Sequence, residues 1–223
     1  MSMCGRYSLA LGAESFEEKS FISVPYGFGW TPRYNMAPLQ NCPVLVGGQS
    51  DQFEFRSLTW GLKPEWLKED GRVPPPINAR CETMSSKPYF KSAFKERRAV
   101  VPASSFFEWA SREKRGNRRI PYKIEFVNLK LFYFAALWEN STFCIVTTEA
   151  NSALENLHHR MPVIFKSEEE CRDWVMGDVS TAKERMHSVK SEELKISEVS
   201  TRVNFVQNDG PEVLESPEQL KLI

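Results

Sequence analysis

Residues 131–148 read LFYFAALW-ENST-FCIVTT, two strongly apolar runs, Leu131–Trp138 and Phe143–Thr148, separated by four polar residues. Each run has the length of a strand and is rich in aromatic and β-branched residues. Upstream, Ala99–Pro102 and Ser105–Trp109 also read as strands. The turn Arg112–Arg119, which contains Gly116-Asn117, leads into Tyr122–Val127 as a hairpin. Earlier still, 43–47 (PVLVG) and 53–60 (FEFRSLTW) have strand character, and a loop rich in Gly, Pro and aromatics spans Pro25–Pro38. Helices are expected at 14–21, at Asn151–Leu157, from Ser167, where Ser167 and Glu170 have capping-box spacing, and near Thr181. A last strand, Lys195–Ser200, precedes an irregular tail from about residue 209 to 223. Hairpins dominate and no βαβ alternation appears. The fold class is therefore α+β: a single domain over 1–223 with a curved, largely antiparallel, barrel-like β core and peripheral helices.

Composition narrows the function. Five cysteines, at 4, 42, 81, 144 and 171, are an odd number without paired C-x-x-C spacing. With no signal-like apolar run, that argues for a reducing intracellular compartment and against a disulfide framework or a zinc cluster. No segment approaches about 20 apolar residues, which excludes a helical membrane span. Charge balances at 29 basic against 29 acidic residues, but unevenly. Arg80–Lys123 holds 12 Lys/Arg and 4 Asp/Glu, whereas Glu149–Ile223 holds 9 and 15. A basic middle suits one face to phosphates, while the overall balance argues against tight non-specific duplex binding. Solvated surface loops of opposite sign would give the same counts.

Cys4 stands three residues from the start. As a first residue it would carry an α-amine and a thiol on adjacent carbons, a 1,2-aminothiol that closes on an aldehyde to give a thiazolidine. Met1-Ser2-Met3 stand in front, so they are either an artificial addition or a leader to be removed. The alternative is an ordinary buried thiol. Asn78 and Arg80 alternate along an extended segment and so project to one side, suited to orienting a polar ligand and gripping a phosphate. They could equally be turn and surface residues. Glu108, inside Phe106-Phe107-Glu108-Trp109, is either solvated or held in an apolar pocket that would raise its pKa for acid–base work. His158 and His159 could hold one proton shuttle or one capping cation, and no third metal ligand accompanies them. The Gly- and Pro-stiffened stretches at 35–38 and 60–66 could wedge between unpaired bases or cap the core.

In order, C-G-R-Y (4–7), R-Y-N-M-A-P (33–38), W-G-L-x-P-x-W (60–66), I-N-A-R-x-E-T (77–83), P-x-x-x-F-F-E-W (102–109), F-x-I-V-T-T-x-A-N (143–151) and L-H-H-R-M-P (157–162) closely resemble the SRAP family, named for the SOS response-associated peptidase domain. The resemblance implies a monomer that binds single-stranded DNA and cross-links to abasic sites without cofactor or metal, cytoplasmic or nucleoid-associated in a bacterium. It implies that Cys4 is the nucleophile, Asn78 positions its α-amine, Glu108 is the acid/base and His158 aids proton transfer. Arg6, Arg80 and Arg160 would hold phosphates, Pro38 with Trp66 would wedge or stack, and Thr147 would contact the DNA backbone. The family's name also implies self-removal of the residues before Cys4. Two other classes fit parts of the pattern: a cysteine hydrolase built on Cys4, His158 and Glu108, and a non-catalytic reader of modified bases built on Arg80, Trp66 and Pro38.

Overall fold

A computed structural model describes residues 4–67, 74–115 and 118–217. In chain order its strands are β1 (Tyr7–Leu9), β2 (Arg33–Met36), β3 (Asn41–Gly47), β4 (Phe53–Trp60), β5 (Asn78–Arg80), β6 (Arg98–Ala103), β7 (Ser105–Arg115), β8 (Arg118–Phe126), β9 (Phe132–Glu139), β10 (Thr142–Glu149), β11 (Arg160–Pro162), β12 (Ile164–Phe165) and β13 (Leu194–Glu198). Its α-helices are α1 (Ala13–Glu17), α2 (Pro88–Glu96), α3 (Glu168–Val175) and α4 (Val179–Glu184).

The two apolar runs at 131–148 form the β9–β10 hairpin, paired from Thr142 with Glu139 to Ile145 with Ala136. That hairpin closes a ring. Strand β10 runs parallel to β4, and β4, β3, β6 and β9 continue antiparallel back to β10. Ring closure removes the open edges a flat sheet would leave. A parallel β5 and an antiparallel β11 extend the pairing along the far end of β10. The expected curved, mainly antiparallel α+β core is therefore present, with two parallel pairings in it.

A second sheet, ordered β13-β8-β7-β1-β2, lies against the ring. Tyr7 and Phe106, partners across β1 and β7, are fully buried and meet the ring edge-on. Tyr7 lies 5.4 Å from Trp60 and 5.7 Å from Phe134, and Phe106 lies 6.0 Å from Phe134. Such edge-to-face pairs add about 0.5–1.5 kcal/mol each beyond the area they bury. The outer face of β7 carries a smaller core of Phe107, Val199, Val203 and Val213. Strand alternation thus sends Phe106 and Glu108 one way and Phe107 and Trp109 the other.

The segment after β13 is tied to the edge strand β2. Asp209 accepts the backbone N–H groups of Tyr34 (2.6 Å) and Asn35 (2.7 Å) and pairs with Arg33. The buried Asn35 amide donates to the carbonyls of Val203, Phe205 and Asn208.

Besides the short strands β1, β11 and β12, which the sequence did not announce, local structure departs from expectation as follows. Residues 151–157 are successive turns and not a helix. The Asn151 amide bonds to the Val189 carbonyl at 2.8 Å, and Leu157 N–H reaches back only to Leu154. Within the loop expected at 25–38, residues 33–36 form β2, because β1 supplies ladder partners and Asp209 satisfies its other edge. Helix α2 was not expected. Pro88 sits in its first turn, and Phe90, Ala93 and Phe94 bury one face. Helix α1 stops at Glu17, short of residue 21. The expected capping box forms at α3, where Ser167 and Glu170 bond reciprocally. The Gly116-Asn117 turn lies outside the described residues, although the β7–β8 ladder leads up to it at Arg115 and Arg118.

Candidate active site

Cys4 enters β1 from the barrel side of β7. Its backbone N–H donates to Glu108 Oε1 at 2.8 Å, joining residues 104 apart in sequence. Both are buried, Cys4 at 1% exposure and Glu108 at 5%. Cys4 also adopts a left-handed φ of 43°, a strained conformation for a residue with a side chain.

Burial governs the chemistry of this pair. Desolvation pushes the Glu108 carboxyl up to about 7, against the opposing pull of the Cys4 N–H. The Cys4 thiol is raised well above its ordinary range by desolvation and then by the Glu108 charge. A carboxyl poised near neutrality can accept and return a proton at physiological pH. The sequence left Glu108 open between solvated and pocketed states, and the structure places it in the pocket.

The remaining candidates gather around the end of β10. Asn78 pairs with Ile145 and Arg80 with Thr147 across β5–β10. Arg80 is exposed. Thr147 is fully buried, and its hydroxyl donates to the Ala79 carbonyl at 3.3 Å, so it braces β5 and does not face outward. On β11, the buried Arg160 holds Glu82 with both terminal nitrogens, at 2.6 and 2.8 Å, and the Thr147 carbonyl at 2.7 Å. Its fork is therefore filled by protein acceptors. Arg6 is similarly engaged, donating to Asn35 Oδ1 (2.8 Å) and the Val203 carbonyl (2.6 Å) with its guanidinium 6.0 Å from the Trp109 ring.

His158 follows the turns at 152–157 and precedes β11. Its Nδ1 accepts the Arg160 backbone N–H at 3.1 Å, which leaves Nε2 as the protonated nitrogen of the neutral ring. Burial lowers its pKa, and the His159 ring, stacked at 4.4 Å, lowers it further. His158 is thus a neutral imidazole near pH 7. Among the described residues no three His, Cys, Asp or Glu side chains are grouped to hold a metal ion.

The two groups are joined through the core. Tyr7, three residues beyond Cys4, packs on Trp60, and the Trp60 indole N–H donates to the Ile77 carbonyl at 2.9 Å, immediately before Asn78. Two loops rim this end of the ring. Trp66 is 59% exposed and touches Tyr89 edge-on at 6.0 Å. Pro38 is half-buried. Glu82 lies within the I-N-A-R-x-E-T stretch, and only the fold reveals it as the partner of Arg160. Tyr7 carried no expected role, and Trp60, the first residue of the 60–66 stretch, is fully buried in the core.

Comparison with known proteins gives a consistent picture. The family model described as SOS response associated peptidase (SRAP) matches residues 3–206. The chain is 33% identical over 228 residues to Abasic site processing protein YoqW of Bacillus subtilis (strain 168), covering 96% of this chain and all of that one. It is 29% identical over 262 residues to Abasic site processing protein HMCES of Gallus gallus, covering 95% and 77%. A crystal structure of a protein from Bacteroides thetaiotaomicron superposes with a TM-score of 0.74 at 20% identity, covering 96% and 99%, a likeness of fold.

Proposed function

The chain belongs to the SOS response associated peptidase (SRAP) family, and from that premise we propose that it processes abasic sites in DNA by bonding covalently to them through Cys4. The observation that carries this reading is the buried hydrogen bond between the Cys4 nitrogen and Glu108. An abasic nucleotide opens to an aldehyde. With the α-amine of Cys4 free, that nitrogen attacks the carbonyl carbon and water leaves to give an imine. The thiol sulfur then adds to the same carbon while its proton passes to the nitrogen, closing a thiazolidine. One water is lost overall.

Glu108 is bonded to the nitrogen that becomes the amine, and near pH 7 it can take the proton from one step and supply it to another. His158 presents Nε2–H as a neutral donor for opening the sugar ring. Asn78 on β5 orients the amine. The substrate strand is single-stranded DNA: an unpaired abasic nucleotide enters a pocket without loss of base pairing. Arg80, exposed on β5, takes a phosphate. Arg6 and Arg160 hold their charges on protein acceptors and shape the potential around the lesion instead of gripping it. Pro38 and Trp66 rim the strand. The protein acts as a cytoplasmic monomer whose single domain spans the chain.

While Met3 is attached, the Cys4 nitrogen is an amide and imine formation is barred. The active form therefore begins at Cys4. The same hydrogen bond favours a second activity. Glu108 lies on the nitrogen of the Met3–Cys4 bond, where an acid would protonate the departing amine during self-cleavage.

Intact-mass measurement after mixing the form beginning at Cys4 with abasic single-stranded DNA tests the reading. A species at the summed mass less one water is expected, with none from Cys4→Ala. No adduct from the trimmed protein, or an equal adduct from Cys4→Ala, would overturn it.

A further inference from the structure

Arg160 is 6% exposed, and taking a guanidinium out of water is costly even when it is paired. Replacing such a pair by apolar side chains is often neutral or stabilising, so stability alone does not account for this one. Its effect is geometric. Arg160 opens β11 and reaches across β10 to the far edge. Its terminal nitrogens take both oxygens of Glu82, at 2.6 and 2.8 Å, and the Thr147 carbonyl of β10 at 2.7 Å. The same carbonyl receives the Cys81 N–H at 2.9 Å. Strands β5 and β11 both pair with β10, so the fork ties the segment leaving β5 to the start of β11. A two-point fork fixes plane as well as distance, which a point charge does not.

One end of this tie bears on His158. Arg160 N–H donates to His158 Nδ1 at 3.1 Å, and that bond decides which ring nitrogen carries the proton. Arg160 is the first residue of a three-residue strand, so ladder pairing alone leaves its N–H at a fraying end. The histidine backbone is tethered separately. His158 N–H donates to the Leu154 carbonyl at 2.9 Å, and the His159 carbonyl accepts Ala150 N–H at 3.1 Å. Neither bond reaches the imidazole. The Glu82 fork immobilises the residue that does.

We propose that Glu82 is a positioning residue that holds the His158 imidazole in its Nε2–H form through Arg160. This rests on the reading of His158 as the donor that opens the sugar ring. A free neutral imidazole exchanges between two tautomers, and only one of them can donate from Nε2. The other would set Nδ1–H against Arg160 N–H, donor against donor. A fixed Arg160 therefore excludes it, and a loosened Arg160 readmits it.

The test is long-range proton–nitrogen NMR at pH 8, which reads the tautomers of the three histidines directly, with His158→Gln to assign the signal. Wild type should show His158 as Nε2–H. Glu82→Gln, which cannot fill the fork, should shift the tautomer ratio toward Nδ1–H by about 5-fold, the worth of one hydrogen bond. Its adduct formation with abasic single-stranded DNA should slow by about 10- to 100-fold, the scale of a misplaced catalytic group. Binding of a strand carrying a tetrahydrofuran abasic analogue, which has no aldehyde, should be unchanged. Glu82→Asp, which keeps the carboxylate, should restore most of both. The double variant Glu82→Gln/Arg160→Met leaves no unpaired buried charge, so it folds without that penalty and should show the same tautomer shift. An unmoved tautomer ratio in the single and double variants would overturn the proposal, as would a full shift with the adduct rate intact. Tighter analogue binding with an unmoved tautomer would overturn it too, making Arg160 a phosphate ligand that Glu82 masks. The NMR arm needs no DNA, so the two readings fail separately. A wild type that yields no adduct removes the covalent reading, and the tautomer shift still decides whether Glu82 holds His158.

Discussion

Two glutamates mark the two halves of the candidate site, and they titrate in opposite directions. Glu108 on β7 is buried and accepts the Cys4 backbone N–H, and desolvation lifts it to about 7. Glu82, after β5, is 43% exposed at its side chain and held by both arms of Arg160, which lowers its pKa. The same functional group serves two purposes. A carboxyl held by a cation in a fork is locked as an anion and can only brace. A carboxyl in an apolar pocket without a cation trades protons near neutrality.

The largest effect should come from exchanging Glu108→Gln. Adduct formation at pH 7 should slow by about 100- to 10,000-fold, the usual scale for losing a positioned acid–base group. The variant should nevertheless be more stable at pH 8. A carboxyl whose folded pKa is raised above its unfolded value contributes fully while it is protonated in both states. That contribution fades as pH rises from about 4.5 to about 7. Urea unfolding at pH 5 and pH 8 should therefore show wild type losing roughly 1–2 kcal/mol relative to Glu108→Gln. No relative change would remove the pocketed carboxyl from the comparison.

At the other pole, Glu82→Ala leaves the buried Arg160 charge without its fork and should cost about 2–3 kcal/mol in urea unfolding. Arg160→Met should cost less, about 1–2 kcal/mol, because Glu82 is already partly hydrated and resolvates. If the two costs are equal, the pair is not asymmetric in the way burial implies. The smallest effect concerns acid. Glu82 is lowered, so its contribution is present above the ordinary carboxylate range and is lost as pH falls through its folded value. The Glu82→Gln deficit at pH 7 should shrink by pH 3, a sign opposite to that of Glu108.

Much of the β core was legible because its strands announce themselves locally. The alternating run at 53–60 became β4 with those bounds, and the two apolar runs at 131–148 became the hairpin that closes the ring. Strand β2 was not legible, since one of its edges is satisfied by Asp209, far away in sequence. Helix α2 carried a readable signal in Pro88 and the Phe90/Phe94 pair, masked by intervening Lys and Ser residues. Residues 151–157 misled because Leu154 and Leu157 have helical spacing while Asn151 engages the Val189 carbonyl. Within the site, motif order supplied the residues but not their states. Whether Glu108 is solvated depends on strand pairing, and the engagement of Arg6 and Arg160 depends on acceptors that only the fold brings near: Asn35 and Val203, 29 and 197 residues from Arg6, and Glu82, 78 residues from Arg160.

The carboxylate of Asp209 occupies the place that a neighbouring strand's carbonyls would take along β2. Shortening the polypeptide before this residue would uncover a row of hydrogen-bond donors able to template a second molecule. Fusions and truncations made for laboratory use should spare it, or self-association will be mistaken for biology.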